Sequence, residues 1–319
     1  MAVKRASFRS KMYSNYSHNS NFKQTQIPSE KYRIIQRLGK QQQRKFGDVF
    51  LVEDKITGES GTMKVVSKSG NELRELRLRA EAGFEFDHPQ LPKTLYTFES
   101  ETELVVVKNY FPGVPLDTFL KPVKSKKKPV VLLQLLEQLK PVFDELNRQQ
   151  IVHLDIKPSN IIITGTPEQF EVYLIDFGMA MRTDTMENRG TLFPLGYAAP
   201  ELLLNRLHLA DQRTDLFALG IVLWQSFTGK LPLLHPNPSI TTNLQLTHPL
   251  PDHDDIPKRY LPILKRLCAK YSFGVPPNQL PLETMDAHLK EAMDQRYTNL
   301  EEVVADWKTA LEKKNWLGF

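Results

Sequence analysis

Three side chains that carry oxygen atoms lie between apolar stretches in the middle of the sequence. Asp155 and Asn160 are five residues apart in "IVHLDIKPSNIII", and Asp176 follows the apolar part of "VYLIDFG". A loop anchored by the flanking hydrophobic residues could place both carboxylates and the amide at one cleft. Such hard oxygen ligands suit Mg²⁺, and one carboxylate could instead accept the proton of a hydroxyl nucleophile. The pattern therefore predicts a metal-assisted site that acts on a hydroxyl group.

Five short strands and one helix are predicted in the first third of the chain. Gly and Asp turn signals separate three strand-like runs, and two more runs follow a segment of good helix formers. In chain order these segments are "YRIIQRLG", "GDVFLVED", "GTMKVVSK", the helical "NELRELRLRAEAGF", "KTLYTFES" and "ETELVVVKNY".

Helical patterns dominate after "FPGVPL", which is typical of a hinge. Apolar residues recur there at intervals of three and four, as a helix facing a core requires. The segments are "VVLLQLLEQLKPVFDELNRQQ", "DLFALGIVLWQSFTG", "YLPILKRLCAKY" and "LEEVVADWKTALEKK". The sequence therefore predicts an α+β fold in which an antiparallel sheet with one helix precedes a mainly helical part.

Composition narrows the possible function classes. The chain has 319 residues, and its 42 basic residues are nearly offset by 37 acidic ones, which does not indicate a nucleic-acid partner. A single cysteine, Cys268, excludes an intrachain disulfide and fits a reducing, cytoplasmic compartment. No apolar run approaches eighteen residues, so no membrane span is predicted. Residues 1–30 are basic and rich in Ser and Asn; we expect a flexible tail, with a transit peptide as the alternative.

Four motifs follow one another in a characteristic order. They are "HLDIKPSN" at residues 153–160, "DFG" at 176–178, "YAAPE" at 197–201 and "DLFALG" at 215–220. Together they resemble the eukaryotic-type protein kinase superfamily, and the resemblance extends from about Lys31 to the end of the chain. It implies a two-lobed fold with an N-lobe at about 31–110, a hinge at about 108–116 and a C-lobe at about 117–319.

The resemblance implies a role for each matching residue. Asp155 would be the catalytic carboxylate that accepts the proton of the substrate hydroxyl, and Asn160 and Asp176 would hold the Mg²⁺ that bridges the ATP phosphates. Lys64 in "TMKVV" would neutralise the inner phosphates. Lys157, typical of Ser/Thr-directed members, would steady the transferring phosphoryl group. The implied partner is a protein substrate with a Ser or Thr acceptor.

The loop that covers the phosphates departs from the family pattern of three spaced glycines. In "LGKQQQRKFGDVF" the residues Gly39, Phe46, Gly47 and Val49 match, but the middle glycine is missing and six residues separate Gly39 from Phe46. Glycine lets backbone amides approach phosphate closely, so part of the nucleotide cradle is altered. Basic side chains could replace those amides or could simply be solvated: Lys40, Arg44 and Lys45.

Two glutamates could pair with Lys64. Glu81 lies at the family's distance from the lysine, although the stretch from it to His88 is about two residues short; Glu75 lies nearer the middle of the predicted helix but close to Lys64 in sequence. We favour Glu81.

The far wall of the nucleotide pocket is expected at Lys108, Asn109 and Tyr110 in "VVVKNYFPG". The family usually carries an uncharged residue at the position of Lys108. An ammonium group there needs a partner in the cleft, such as the glutamate that pairs with Lys64. Alternatively the alignment is shifted by one residue and Lys108 points to solvent.

The catalytic loop differs from many members at Leu154, where they carry the arginine that receives a phosphorylated activation segment. This non-RD loop argues against control by that route. His153 is expected to have a structural role. Glu201 resembles the glutamate of a buried salt bridge, for which Arg296 in "QRYTNLEEVV" is the expected partner.

Three functions agree with these patterns to different degrees. The leading hypothesis is an ATP- and Mg²⁺-dependent serine/threonine protein kinase. A pseudokinase that binds nucleotide as a scaffold is suggested by the altered glycine loop and by Lys108. A small-molecule phosphotransferase would generally lack the "APE" and central-helix motifs. The residues from about 271 to 295 resemble an insertion, and their sequence suggests no function.

Overall fold

The computed structural model describes residues 30–38, 48–70, 72–185, 193–274 and 277–316. Residues 1–29 of the predicted tail lie outside these ranges. So do Gly39, Phe46 and Gly47 of the predicted phosphate loop, together with its three basic residues.

The first part of the fold is a five-stranded antiparallel sheet with one helix, as predicted. Its spatial order is β1-β2-β3-β5-β4. The elements are β1 (Tyr32–Leu38), β2 (Asp48–Asp54), β3 (Ser60–Ser67), α1 (Glu72–Ala82), β4 (Thr94–Glu99) and β5 (Glu103–Asn109).

The two faces of this sheet bury different residues. One face packs Phe50, Met63 and Val107 with their neighbours, and the other packs Val66 and Val106 against α1. Because side chains alternate along a strand, the even-numbered residues of β3 and β5 share the α1 face. That face therefore also carries the side chains of Lys64 on β3 and Lys108 on β5.

The second part of the fold is mainly helical. It contains β6 (Val114–Pro115), α2 (Leu116–Leu120), α3 (Lys128–Arg148), β7 (Ile151–Val152), β8 (Ile161–Thr166), β9 (Gln169–Leu174), β10 (Met181–Arg182), α4 (Pro200–Leu203), α5 (Gln212–Thr228), α6 (Pro238–Thr247), α7 (Leu261–Leu267), α8 (Leu282–Asp294) and α9 (Leu300–Trp316). The predicted fold class is confirmed: this is a two-lobed α+β fold. Among the residues that the structure describes, no helix combines the length and apolar composition needed to cross a membrane.

Helix α5 is the centre of the helical part. It is buried on all sides along most of its length, as a helix with apolar residues around its whole circumference must be. A capping box at Asp211 and Thr214 begins it, and Gly229, with φ of 76°, ends it in the left-handed conformation that glycine adopts without strain. The capping box and the glycine thus define the two ends of α5.

The segment that resembles an insertion contains helix α8. Its buried residues Met285, Leu289 and Met293 recur at intervals of four and pack against Leu209. Arg206 also binds the Asp286 carboxylate through two hydrogen bonds of 2.6 Å. The helix is therefore attached to the segment between α4 and α5.

The predicted ion pair between Glu201 and Arg296 is confirmed. The guanidinium group donates to both carboxylate oxygens at 2.7 and 3.0 Å, and both side chains are 0% exposed. Burial alone would raise the pKa of Glu201, but Arg296 outweighs it and holds that pKa below its ordinary value. The pair joins α4 to the segment that precedes α9.

We expect Arg296→Met to lower the free energy of unfolding by about 3 to 5 kcal/mol at pH 7, because it leaves the Glu201 carboxylate buried and unpaired. Without the arginine, burial raises the pKa of Glu201 above its value in the unfolded chain. The loss should therefore shrink as the pH falls to about 5 and the carboxyl group takes up a proton. Urea unfolding at both pH values measures it.

Two controls accompany this measurement. Glu201→Gln in the Arg296→Met background should recover part of the loss at pH 7, since it removes the buried charge. Arg206→Met breaks a more exposed arginine–carboxylate pair and should cost less. A loss for Arg296→Met that is the same at pH 5 and pH 7 would contradict this account.

Candidate active site

The loop that contains Asp155 is held in place by α5. The Asp215 carboxylate of that helix accepts hydrogen bonds from the backbone N–H groups of His153 and Leu154 at 2.7 and 2.9 Å. Leu154 has φ of 61°, a conformation unfavourable for a side chain with a Cβ atom. The two hydrogen bonds to a buried carboxylate help to hold this strained backbone in place.

Asp155 lies at the centre of a small hydrogen-bonded group. Lys157 Nζ donates to its two carboxylate oxygens at 2.9 and 2.7 Å. Asn160 Nδ2 donates to its Oδ2 at 2.9 Å and to its main-chain oxygen at 2.8 Å. Burial raises the pKa of Asp155 to about 6, against the opposing effect of Lys157. The carboxylate is thus oriented and poised to exchange a proton near neutral pH.

Asn160 and Asp176 are brought together by the pairing of β8 with β9. Ile161 lies opposite Leu174 in this antiparallel pair. Ile175 N then donates to the main-chain oxygen of Asn160 at 2.9 Å. This register places Asp176, the next residue, beside Asn160. The fifteen residues that lie between them in sequence form the hairpin that connects them.

Lys64 joins the sheet, the helix and the segment after β9. Its Nζ donates to the two Glu81 carboxylate oxygens at 2.8 and 2.7 Å and to Asp176 Oδ1 at 2.7 Å. Burial would raise the pKa of Asp176, but the Lys64 ammonium outweighs it and holds that pKa at about 2. The two carboxylates in turn raise the pKa of Lys64. Lys64 and Asp176 are therefore both charged at neutral pH.

The structure distinguishes between the two candidate glutamates. Glu81 is 2% exposed in the last turn of α1 and binds Lys64. Glu75 instead binds Arg79, four residues further along the same helix, at 2.8 Å. The Lys64 partner therefore lies at the end of α1 rather than in its middle.

An aromatic cluster surrounds the ring of Phe177, the residue that follows Asp176. The ring of Phe177 is 4.6 Å from that of His153, 4.7 Å from that of Phe86 and 6.3 Å from that of Phe84. Burial lowers the pKa of His153 to about 4, so its ring is neutral. Nε2 lies 3.1 Å from Ile175 O and Nδ1 accepts from Asp155 N, which fits a structural role. We did not identify this cluster from the sequence, where Phe84 ends the predicted helical segment and Phe86 follows it.

Lys108 is turned inward. It is 5% exposed, so the alternative in which it points to solvent is wrong. Its Nζ donates to the main-chain oxygen of Glu81 at 3.0 Å and to Thr94 Oγ1 at 3.1 Å. Its partner is thus the expected glutamate, but through the carbonyl group and not the carboxylate.

The remaining predicted nucleotide-binding residues lie at the end of the interior strand β5 and on the interior strand β2. Asn109 Oδ1 accepts from Lys93 N at 2.6 Å, and Tyr110 N donates to Ser60 O at 3.3 Å. Both residues are half-buried. Val49 is half-buried on β2 and lies opposite Lys64 in the register. The last residue of the predicted phosphate loop, Val49, thus lies next to Lys64.

Leu154 lies in an apolar cluster. Its neighbours include Met179 and Met181 before the undescribed residues 186–192, and Phe193 and Leu202 after them. Residues on either side of this stretch therefore share an apolar cluster with Leu154, which stands at the position where many kinases carry an arginine. An apolar residue at this position has no group that could bind phosphate.

The residues present fit a magnesium ion bound together with phosphate. Within the described ranges, no group of three or more His, Cys, Asp or Glu side chains could hold a metal ion. Asp176 still offers Oδ2 as a ligand, on a side chain that is 38% exposed. Asn160 donates to Asp155 through Nδ2, which leaves Asn160 Oδ1 as an acceptor. One carboxylate and one amide oxygen are hard ligands of the kind that Mg²⁺ shares with water and substrate phosphates.

Comparison with known proteins agrees with this geometry. Residues 32–306 match the family model described as the protein kinase domain. A two-lobed fold with a lysine–glutamate pair above a loop bearing Asp155 and Asn160 defines a class of phosphotransferases. The chain belongs to the protein kinase family.

Several relatives carry the names of serine/threonine kinases or ribosomal protein kinases. Mouse ribosomal protein S6 kinase alpha-6 is 30% identical over 213 residues, which cover 64% of this chain and 27% of the mouse protein. Serine/threonine-protein kinase PrkC of Bacillus subtilis is 28% identical over 211 residues, covering 64% and 31%. Serine/threonine-protein kinase TIO of Arabidopsis thaliana is 31% identical over 209 residues, covering 64% and 15%. The matched regions thus span less than a third of each relative's length.

Proposed function

We propose that this chain is an active serine/threonine protein kinase that transfers the γ-phosphoryl group of ATP to a protein hydroxyl with the help of Mg²⁺. The observation that carries the proposal is the ion cluster at Lys64. A lysine that binds both Glu81 and Asp176 within 2.8 Å has its ammonium group at the position from which it could contact phosphate oxygens. The names of the relatives support Ser/Thr rather than another acceptor.

Each residue of the site has a proposed task in this reaction. The substrate oxygen forms a bond to the γ-phosphorus while the bond from that phosphorus to the β–γ bridging oxygen breaks. Asp155 orients the hydroxyl group and accepts its proton. Lys157 binds the Asp155 carboxylate and balances negative charge on the transferring group.

Other residues would position the nucleotide. Asn160 and Asp176 would hold Mg²⁺, which neutralises phosphate charge when bound. Lys64 would bind the inner phosphates, with Glu81 fixing its orientation. The adenine pocket would lie along Asn109 and Tyr110, in the hinge at about 108–116 between the proposed lobes. Val49 would close the pocket from β2.

The alternative is a pseudokinase that binds nucleotide but transfers no phosphate. Lys108 was one reason to consider it, because an unpaired ammonium would disturb the pocket. Since that ammonium is bound at the end of α1, Lys108 no longer favours a pseudokinase.

We propose a cytoplasmic protein with a protein substrate, consistent with the single buried cysteine.

We expect Asp155→Asn to lower phosphate transfer to a generic basic protein by about a hundredfold or more, because the proton acceptor is lost. Asp176→Ala should leave less than a tenth of the wild-type activity, yet keep the fold, since Lys64 retains Glu81. Transfer of labelled phosphate followed by phosphoamino acid analysis measures both activity and acceptor.

Asp144→Asn is the matched control, because this carboxylate lies on α3 outside the site and binds Lys140 on the same helix. It should keep wild-type activity. Nucleotide binding by the wild type without any transfer would support the pseudokinase instead. More than a tenth of the activity in Asp176→Ala, or phosphotyrosine as the product, would contradict the proposal.

The acid side of the pH profile is expected to follow Asp155. Below a pH of about 6 the carboxyl group holds a proton and can no longer accept one, so kcat/KM should fall. Lys157→Met removes the ammonium that lowers this pKa. A hydrogen bond from a charged group is worth about 1.5 to 3 kcal/mol, so the acid limb should move up by about one to two pH units.

Lys140→Met provides the control, because Lys140 binds Asp144 at the surface of α3. Its profile should coincide with that of the wild type after circular dichroism has shown that all three proteins stay folded over the pH range. An acid limb that Lys157→Met leaves in place, or moves to lower pH, would show that Asp155 is not the titrating group.

A further inference from the structure

The last turn of α1 is capped by side chains from two neighbouring strands. The final four carbonyl groups of a helix have no partner within the helix. Here Thr94 Oγ1 on β4 donates to Ala82 O at 3.1 Å, and Lys108 Nζ on β5 donates to Glu81 O at 3.0 Å. Lys108 Nζ also donates to Thr94 Oγ1 at 3.1 Å. A positive charge at this end of a helix is favourable because of the helix dipole.

Glu81 is consequently bound by two lysines, one at its side chain and one at its main chain. Lys64 binds its carboxylate and Lys108 binds its main-chain oxygen. The register places Lys64 opposite Val106 and Lys108 opposite Thr62, so both lysines extend from the α1 face of adjacent strands. A displacement of α1 away from the sheet would break both contacts together.

The buried position of the Lys108 ammonium group has a cost in the free energy of folding. Burial lowers the pKa of its ammonium to about 8. An apolar side chain of similar length would avoid this loss of hydration. The hydrogen bonds of Lys108 do not contribute to a hydrophobic core; they fix the end of α1, which carries Glu81.

We propose that Lys108 is a positioning residue that keeps Glu81 in place to bind Lys64 by capping the C-terminal end of α1. The residue thus acts on phosphate transfer through α1 and Glu81, without contact to the reacting atoms. The proposal rests on the proposed kinase function for its effect on rate, but its effect on α1 is independent of that function.

Lys108→Met tests the proposal, since it keeps the length of the side chain and removes the donor. We expect amide hydrogen exchange in the last turn of α1 to become about tenfold faster or more, as the loss of a charged hydrogen bond implies. Exchange in α5 should stay the same and the melting temperature should not fall. In the kinase assay kcat should fall about fivefold to tenfold, with KM for the protein substrate changed less than about twofold.

Two further variants make the result specific. Thr94→Val removes the donor to Ala82 O and one acceptor of Lys108 Nζ, but leaves the hydrogen bond from Lys108 to Glu81 O. It should change α1 exchange in the same direction by less, and it provides the test if Lys108→Met does not fold. Lys270→Met is the matched control, because this lysine is also shielded from water and donates to a main-chain oxygen, that of Gln245 in α6. It should leave α1 exchange and kcat unaffected.

The outcomes separate this proposal from the proposed function. Unchanged exchange in α1, or an equal increase in α1 and α5 with a lower melting temperature, would overturn the positioning role even in an active kinase. Faster exchange confined to α1 in a protein that transfers no phosphate would support the positioning role and reject the kinase function.

Discussion

The position of one ammonium group constrains the rest of the site. Lys64 Nζ lies within 2.8 Å of carboxylate oxygens from Glu81 and Asp176. Three elements that are distant in sequence therefore meet at a single charged contact: strand β3, the end of helix α1 and the segment after β9. Removing the lysine would leave both carboxylates without this partner, whereas removing Asp176 leaves Lys64 bound to Glu81. The position of α1 and the conformation of Asp176 are coupled through this contact.

The parts of the site that could be predicted from sequence are those that depend on local spacing. Asp155 and Asp176 follow apolar strands and Asn160 precedes one, and the pairing of β8 with β9 is enough to bring the last two together. The partner of Lys64 could only be favoured, because it depends on where α1 ends. That end lies at Ala82, where Gly83 follows and where Thr94 and Lys108, from later strands, bind the last carbonyl groups. Such long-range contacts leave no periodic signal in the sequence.

Two other features illustrate the same limit. The inward direction of Lys108 follows from the alternation of β5, but its partner is a main-chain oxygen, which no sequence pattern displays. Helix α8, by contrast, could have been found. Met285, Leu289 and Met293 have the spacing of one helix face, and we left this segment unassigned because it departs from the family pattern. The roles of the site residues in catalysis stay predictions from the resemblance.

The central claim is that Glu81 acts only by holding Lys64. A double-mutant cycle with Glu81→Gln and Lys64→Met, followed by calorimetric measurement of the affinity for a non-hydrolysable ATP analogue with Mg²⁺, tests it most directly. The account predicts that Glu81→Gln weakens binding about tenfold in the wild type, since it removes a charged hydrogen-bond partner of the lysine. It should weaken binding less than twofold in the Lys64→Met background. Equal losses in the two backgrounds would show that the residues act independently and would contradict the account.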